Sequence, residues 1–204
     1  MTERLVTIPN ILSGLRLSSV PVLLVLARQG YADAFLLLLI FALLTDVADG
    51  YLARRLRQES EFGARLDSLG DFSIYLSTPL CAWWLWPEIV RREAPFVIAV
   101  LAAFLLPILI GFAKYRRLTS YHTWGAKLSA VLMSIGTVLL FAGGPPWLFR
   151  FSTIVLVLTQ IEEIAITIVS PEWRSNVPTI RHALRRTREE RAKGRGNSGV
   201  KGGG

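Results

Sequence analysis

The chain has 204 residues, 52% of them hydrophobic and only 19% charged, yet it carries a formal charge of +8. A mean hydropathy of +0.44, with six Trp and ten Phe, exceeds what a soluble core needs and excludes a disordered chain; the single cysteine, Cys81, excludes a disulfide scaffold. A soluble nucleic-acid binder would explain the charge but not the apolar excess, which leaves a small integral membrane protein.

A spanning helix needs roughly 20 mostly apolar residues. In chain order the candidates are about Ile11–Ala27, Tyr31–Val47, Asp71–Trp86, Pro95–Tyr115, Gly125–Ala142 and Trp147–Val169. The expected fold is therefore all-α, with six transmembrane helices. Gly30, Trp86-Pro87 and Gly143-Gly144-Pro145-Pro146 mark turns on one side. The segments Arg54–Arg65 and Lys114–Lys127 lie on the other side, as loops, together with both termini. That side then holds 19 of the 23 Lys and Arg, against Arg28, Arg91, Arg92 and Arg150 opposite. The positive-inside rule places it in the cytosol. Arg4 and Arg16 enter this reading as orienting charges only. Met1–Asn10 lacks the apolar core of a cleavable signal, which fits the plasma (inner) membrane of a prokaryote. Residues 1–175 make one transmembrane domain. Residues 176–204 form a basic, Gly-rich cytosolic tail, read either as solvated or as a contact for anionic lipid headgroups.

Ionisable groups inside membrane segments are functional candidates. Asp46 and Asp49 close the second span at i, i+3, and Asp67 and Asp71 open the third at i, i+4. Each spacing puts both carboxylates on one helix face. Spans two and three, joined by a short loop, can pair antiparallel, so that the four acids converge at the cytosolic membrane edge. Unpaired, they would repel one another. All-oxygen donors without nearby His or Cys suit Mg²⁺, Mn²⁺ or Ca²⁺ rather than zinc. Four carboxylates balance two such ions, and paired metals recur in phosphoryl chemistry. Gly50, Ala53 and Gly63 allow close approach to these faces, and Arg54 can contact a phosphate.

The stretch Asp46-Val-Ala-Asp49-Gly50-Tyr-Leu-Ala53-Arg54, followed by Gly63, Asp67 and Asp71, resembles the signature D-x2-D-G-x2-A-R-x8-G-x3-D-x3-D of the class I CDP-alcohol phosphotransferases (CDP-alcohol phosphatidyltransferases). Every specified position matches. The opening Thr7-Ile-Pro9-Asn10-Ile-Leu-Ser13-Gly-Leu-Arg16 also resembles the start of the lipid-making branch, and the likeness extends to about residue 170.

The resemblance implies transfer of a phosphatidyl group from CDP-diacylglycerol to a small polar alcohol, with release of CMP. It implies that Asp46, Asp49, Asp67 and Asp71 ligate two divalent cations, Mg²⁺ or Mn²⁺, and that Asp71 is also the base. Gly50 and Arg54 would lie against the CDP donor, with Ser60 and Asn10 at its edge, and a homodimer is implied. Leu66-Asp67-Ser68-Leu69-Gly70-Asp71-Phe72 departs from the common L-D-P-x-A-D-K and is nearer the pattern of phosphatidylserine synthases. Glycerol 3-phosphate, serine and inositol phosphate all stand as acceptors. Lys114, Arg116, Arg117 and Lys127 are candidates for an acceptor phosphate, or positive-inside anchors. Glu162 and Glu163, in the sixth span, either meet a cationic acceptor, pair with a base or pack between helices. Cys81 reads as a core residue, His122 and His182 as solvated, and Trp83-Trp84-Trp86 as an interfacial belt. Two alternatives are a transferase of the same family with a different CDP-alcohol donor, and a cation-coupled transporter.

Overall fold

The computed structural model describes residues 7–56, 60–115 and 124–169. Arg116, Arg117, His122, the end of the expected domain at 175 and the basic tail lie outside the described residues, and so does the side chain of Arg54. All regular structure among the described residues is helical: α1 Ile8–Gln29, α2 Ala32–Leu56, α3 Glu61–Leu85, α4 Pro87–Arg92, α5 Ala94–Tyr115, α6 Trp124–Phe141 and α7 Trp147–Val169. Among these residues, three stretches are long and apolar enough to cross a membrane: Ile8–Gln29, Ala32–Ala53 and Ala94–Lys114. Gly125–Phe141 is a shorter apolar helix. Large apolar side chains face outward along them, among them Leu37, Leu44, Ile98 and Leu109, as a lipid-facing surface would require. This is a membrane protein.

Local chemistry sets the helix ends. Thr7 caps α1, its Oγ1 accepting from Asn10 N at 3.3 Å, and Pro9 sits in the first turn, where its missing N–H costs nothing. Gly30 ends α1 in the left-handed region, at φ 82°, a conformation that a Cβ would strain. Ser60 caps α3 by accepting from Gly63 N at 3.0 Å.

Two expectations need correction here. Arg54 and Arg55 belong to the last turns of α2, and Arg65 lies in α3, rather than in a loop. Leu, Ala, Arg and Glu all favour helix, so both helices run on past the point where apolar character stops. The acids thus lie well inside the helices, about three turns from the end in the case of Asp46 and Asp71. The Trp86-Pro87 turn carries a further short helix, α4, with Pro87 in its first turn and Arg91 and Arg92 in its last.

The chain divides into two compact units, Met1–Ala94 with Phe141–Gly144, and Pro95–Leu140 with Pro145–Gly204. In the first, α1 packs along both α2 and α3, which barely touch each other. The antiparallel pairing of spans two and three is therefore mediated by α1 rather than direct. The buried stripe of α1 is polar in its first half (Asn10, Ser13, Arg16, Ser19) and apolar in its second (Leu23, Ala27). The apolar half meets Phe35, Leu39 and Ala42 of α2 and Ile74 and Cys81 of α3. Cys81 is thus a core residue. Trp86 extends the core, stacked on Phe141 with ring centroids 4.7 Å apart and edge-on to Phe35 at 5.9 Å. Trp83 and Trp84 stay exposed, beneath the guanidinium groups of Arg91 and Arg28.

In the second unit, Gly136 of α6 brings its backbone against α7. Ser152, fully buried, donates a hydrogen bond to Leu132 O at 2.9 Å or to Leu148 O at 2.7 Å.

Candidate active site

The polar half of the α1 stripe is where the acids converge. The guanidinium of Arg16 reaches all four. Its Nη1 pairs with Asp46 Oδ1 and lies 3.3 Å from Asp71 Oδ1, and its Nη2 pairs with Asp67 Oδ1 and lies 3.2 Å from Asp49 Oδ2. Asp49 is held a second time, by the Ser13 hydroxyl, which donates to Oδ2 at 2.9 Å. Burial is uneven. The Arg16 and Asp49 side chains are 1% and 5% exposed, whereas Asp46, Asp67 and Asp71 are 42%, 41% and 37% exposed. The site thus has a floor built by α1 and Asp49, and an open side lined by three carboxylates.

Four carboxylates around one guanidinium leave a formal surplus of three negative charges. Burying an unbalanced charge is costly, and an unloaded cluster of this kind draws cations. The donor set fits a divalent ion: carboxylate oxygens of Asp46, Asp49 and Asp67 lie within 4.8 Å of one another. These are hard oxygen ligands, suited to Mg²⁺ or Mn²⁺.

A second convergence lies beside the acids. A Cβ on Gly63 would overlap the Asn10 side-chain oxygen and come within 3.0 Å of Ser60 Oγ. Asn10 from α1 and Ser60 from the α3 cap, both expected at the donor's edge, therefore flank the motif glycine. Gly70 does the same for Arg16: a Cβ there would stand 3.0 Å from Nε. Gly50 follows Asp49 in α2, half-buried, with Arg54 one turn on.

The remaining candidates belong to the second unit. Lys114 Nζ donates to the C-terminal carbonyls of α7, Thr167 O at 2.7 Å and Ile168 O at 2.9 Å, a favourable place for a cation. Lys127 is exposed in the first turns of α6, and Glu162 and Glu163 are half-buried in α7.

Arg16 and Ser13 were absent from the expected site. Their signal was present: Asn10, Ser13 and Arg16 recur every three residues on one face of an otherwise apolar helix. Counted as an orienting charge, Arg16 concealed its role.

A family model for CDP-alcohol phosphatidyltransferases matches residues 6–169. The chain belongs to this family. Its acidic motif stands on α2 and α3. Among its relatives, the CDP-diacylglycerol–glycerol-3-phosphate 3-phosphatidyltransferase of Cereibacter sphaeroides is 49% identical over 69 residues, covering 32% of this chain and 31% of its own. The cardiolipin synthase (CMP-forming) of Streptomyces coelicolor is 38% identical over 115 residues, 48% of this chain and 52% of its own. A second CDP-diacylglycerol–glycerol-3-phosphate 3-phosphatidyltransferase, from Pseudomonas fluorescens, is 28% identical over 152 residues, 70% of this chain and 75% of its own. The matched stretch spans about a third to a half of the length of the first of the curated relatives. No solved structure matches.

Proposed function

We propose that the protein is a membrane phosphatidyltransferase that moves a phosphatidyl group from CDP-diacylglycerol to a small polar alcohol and releases CMP, in phospholipid synthesis. The observation that carries this reading is the convergence of Asp46, Asp49, Asp67 and Asp71 on one open-sided site, in a chain of this family. The same clustering disfavours a transporter, which needs acids spread along a path. Six spans with both termini cytosolic would set the site at the cytosolic edge of a prokaryotic plasma membrane. There a donor can keep its acyl tails in lipid and its cytidine in water. We take the protein to work as a homodimer, by family resemblance.

Asp46, Asp49, Asp67 and Asp71 would hold two divalent cations, Mg²⁺ or Mn²⁺, with Gly50, Arg54, Ser60 and Asn10 lining the donor. The bound cations supply charge stabilisation for the diphosphate and for departing CMP. Asp71 then has a separate task. It stands outside the tight ion pairs that Arg16 makes with Asp46 and Asp67 and has more than a third of its side chain exposed, as a base facing substrate requires. Its carboxylate takes the proton of the acceptor hydroxyl. The hydroxyl oxygen bonds to the phosphatidyl phosphorus, the bond from that phosphorus to the bridging oxygen breaks, and CMP leaves with the electron pair. Lys114, Arg116, Arg117 and Lys127 are the candidates to hold an acceptor phosphate.

The relatives' names favour glycerol 3-phosphate over serine or inositol phosphate. Those named cardiolipin synthases add phosphatidylglycerol, since cardiolipin is two phosphatidyl groups on one glycerol. The test is CMP release by detergent-purified protein given CDP-diacylglycerol, Mg²⁺ or Mn²⁺, and each acceptor in turn. Release is expected with one of them; none with any acceptor overturns the lipid-donor reading.

A further inference from the structure

Arg16 has a place in this site that the acidic motif does not explain. It enters from α1, outside residues 46–71, and is fully buried while three of its four partners remain open to solvent. Its two terminal nitrogens are shared among four carboxylates, whereas its Nε is the only buried side-chain nitrogen or oxygen without a hydrogen-bond partner among the described residues. The acids, not a complete set of bonds, hold the guanidinium in place. Gly70 leaves the room it needs, since a Cβ at that position would press on Nε.

We propose that Arg16 is the resident counter-ion of the acid site. Its guanidinium draws the four carboxylates together when no cation is bound, gives way when divalent cations enter from the open side, and so sets how tightly they bind. The inference rests on the metal-binding reading above. Its basis is charge. One guanidinium offsets a quarter of the formal charge of the acids, whereas two divalent cations offset all of it. A guanidinium and two dications within a few ångströms repel one another, in a region where burial weakens solvent screening. Binding at one is therefore coupled unfavourably to occupancy by the other, and couplings between sites are typically roughly 5- to 150-fold in affinity. Arg16 is thus a positioning residue: it pre-assembles donors from α2 and α3, two helices that make little contact with each other.

The test uses the full chain in detergent, with Mg²⁺ or Mn²⁺ alone as probe and tryptophan fluorescence melting as readout. In EDTA, Arg16→Gln is expected to melt below the wild type, because the acids lose their counter-ion. As cation is added, the variant should recover, and its midpoint cation concentration should lie at least fivefold below that of the wild type. Arg16→Lys keeps the charge without the two-pronged reach and should fall between the two. It also serves if the glutamine variant does not fold. Gly70→Ala, which displaces the guanidinium without removing it, should shift the midpoint in the same direction. A variant that is destabilised equally at every cation concentration, with an unchanged midpoint, would overturn the inference and leave Arg16 a structural residue. A higher midpoint would overturn it as well, by making Arg16 a helper of cation binding. If neither wild type nor variant responds to cation, the metal-binding reading falls with it, an outcome distinct from equal midpoints.

Discussion

Gly63→Ala separates the site from its scaffold. The added methyl would meet the Asn10 side-chain oxygen and Ser60 Oγ. Both are ends of side chains rather than backbone, so they turn aside and the helices keep their places. Disturbing the Ser60 cap costs about 0.5–2 kcal/mol, and Ala in place of Gly returns about 1 kcal/mol of helix propensity. The net change is within roughly 1 kcal/mol, or about 2–4 °C in melting temperature for a chain of this size. Donor binding is affected more. A hydrogen bond to a charged group is worth about 1.5–3 kcal/mol, so turning one of these side chains away from the donor raises its KM roughly tenfold to a hundredfold. The assay is CMP release against the mole fraction of CDP-diacylglycerol in mixed micelles, beside a tryptophan fluorescence melt of the same sample. A large rise in KM with a nearly unchanged melt is expected. An unchanged KM would refute the placement of Asn10 and Ser60 at the donor. A fall in melting temperature above about 10 °C would show that the clash moves the helices, contrary to the reasoning.

Asp71→Asn should lower CMP release by about a hundredfold or more, the scale of general base catalysis, while a Mg²⁺-dependent rise in melting temperature persists; substantial residual turnover would remove Asp71 from the base role. Chelation by EDTA should abolish CMP release, and Mg²⁺ or Mn²⁺ in excess of chelator should restore it; turnover in EDTA would exclude a metal-dependent reaction. Gly136→Val should destabilise the α6–α7 contact by about 1–3 kcal/mol through overpacking, because its Cβ meets Phe149 backbone atoms at 3.1–3.2 Å. A melt equal to wild type would contradict that contact.

Apolar content made most of the helices legible, and spacing made the acid faces legible. Each of the six expected spans corresponds to a helix. The misplaced boundaries share a cause. Hydropathy locates where a helix leaves hydrocarbon, whereas hydrogen bonding and caps decide where it ends, and α2 and α3 continue through Arg54, Arg55 and Arg65 because those residues favour helix. The α4 helix was also readable, since Pro in a first turn followed by terminal arginines is a helix pattern as much as a turn. Arg16 was hidden for a different reason. Its partners lie 30 to 55 residues away on two other helices, and a single sequence gives local spacing but not which helix is interposed.

That interposed helix explains how four like charges can share a site at all. Packed directly, α2 and α3 would press two carboxylate pairs together with nothing between them, and repulsion would drive the helices apart or protonate the acids. With α1 between them, the same stripes that bring Phe35, Leu39, Ile74 and Cys81 onto Leu23 and Ala27 carry Asp49 and Asp71 onto Ser13 and Arg16. The apolar half of α1 provides packing and its polar half provides charge balance, so one helix fixes both the register of the unit and the position of the acids. A substitution that slides α1 along its axis, even one made in its apolar half, would therefore reach the acids about two turns away. Leu23→Ala, a core cavity with no polar contact, should shift the cation midpoint as well as lower stability, and an unaltered cation midpoint in that variant would mean that α1 does not set the geometry of the site.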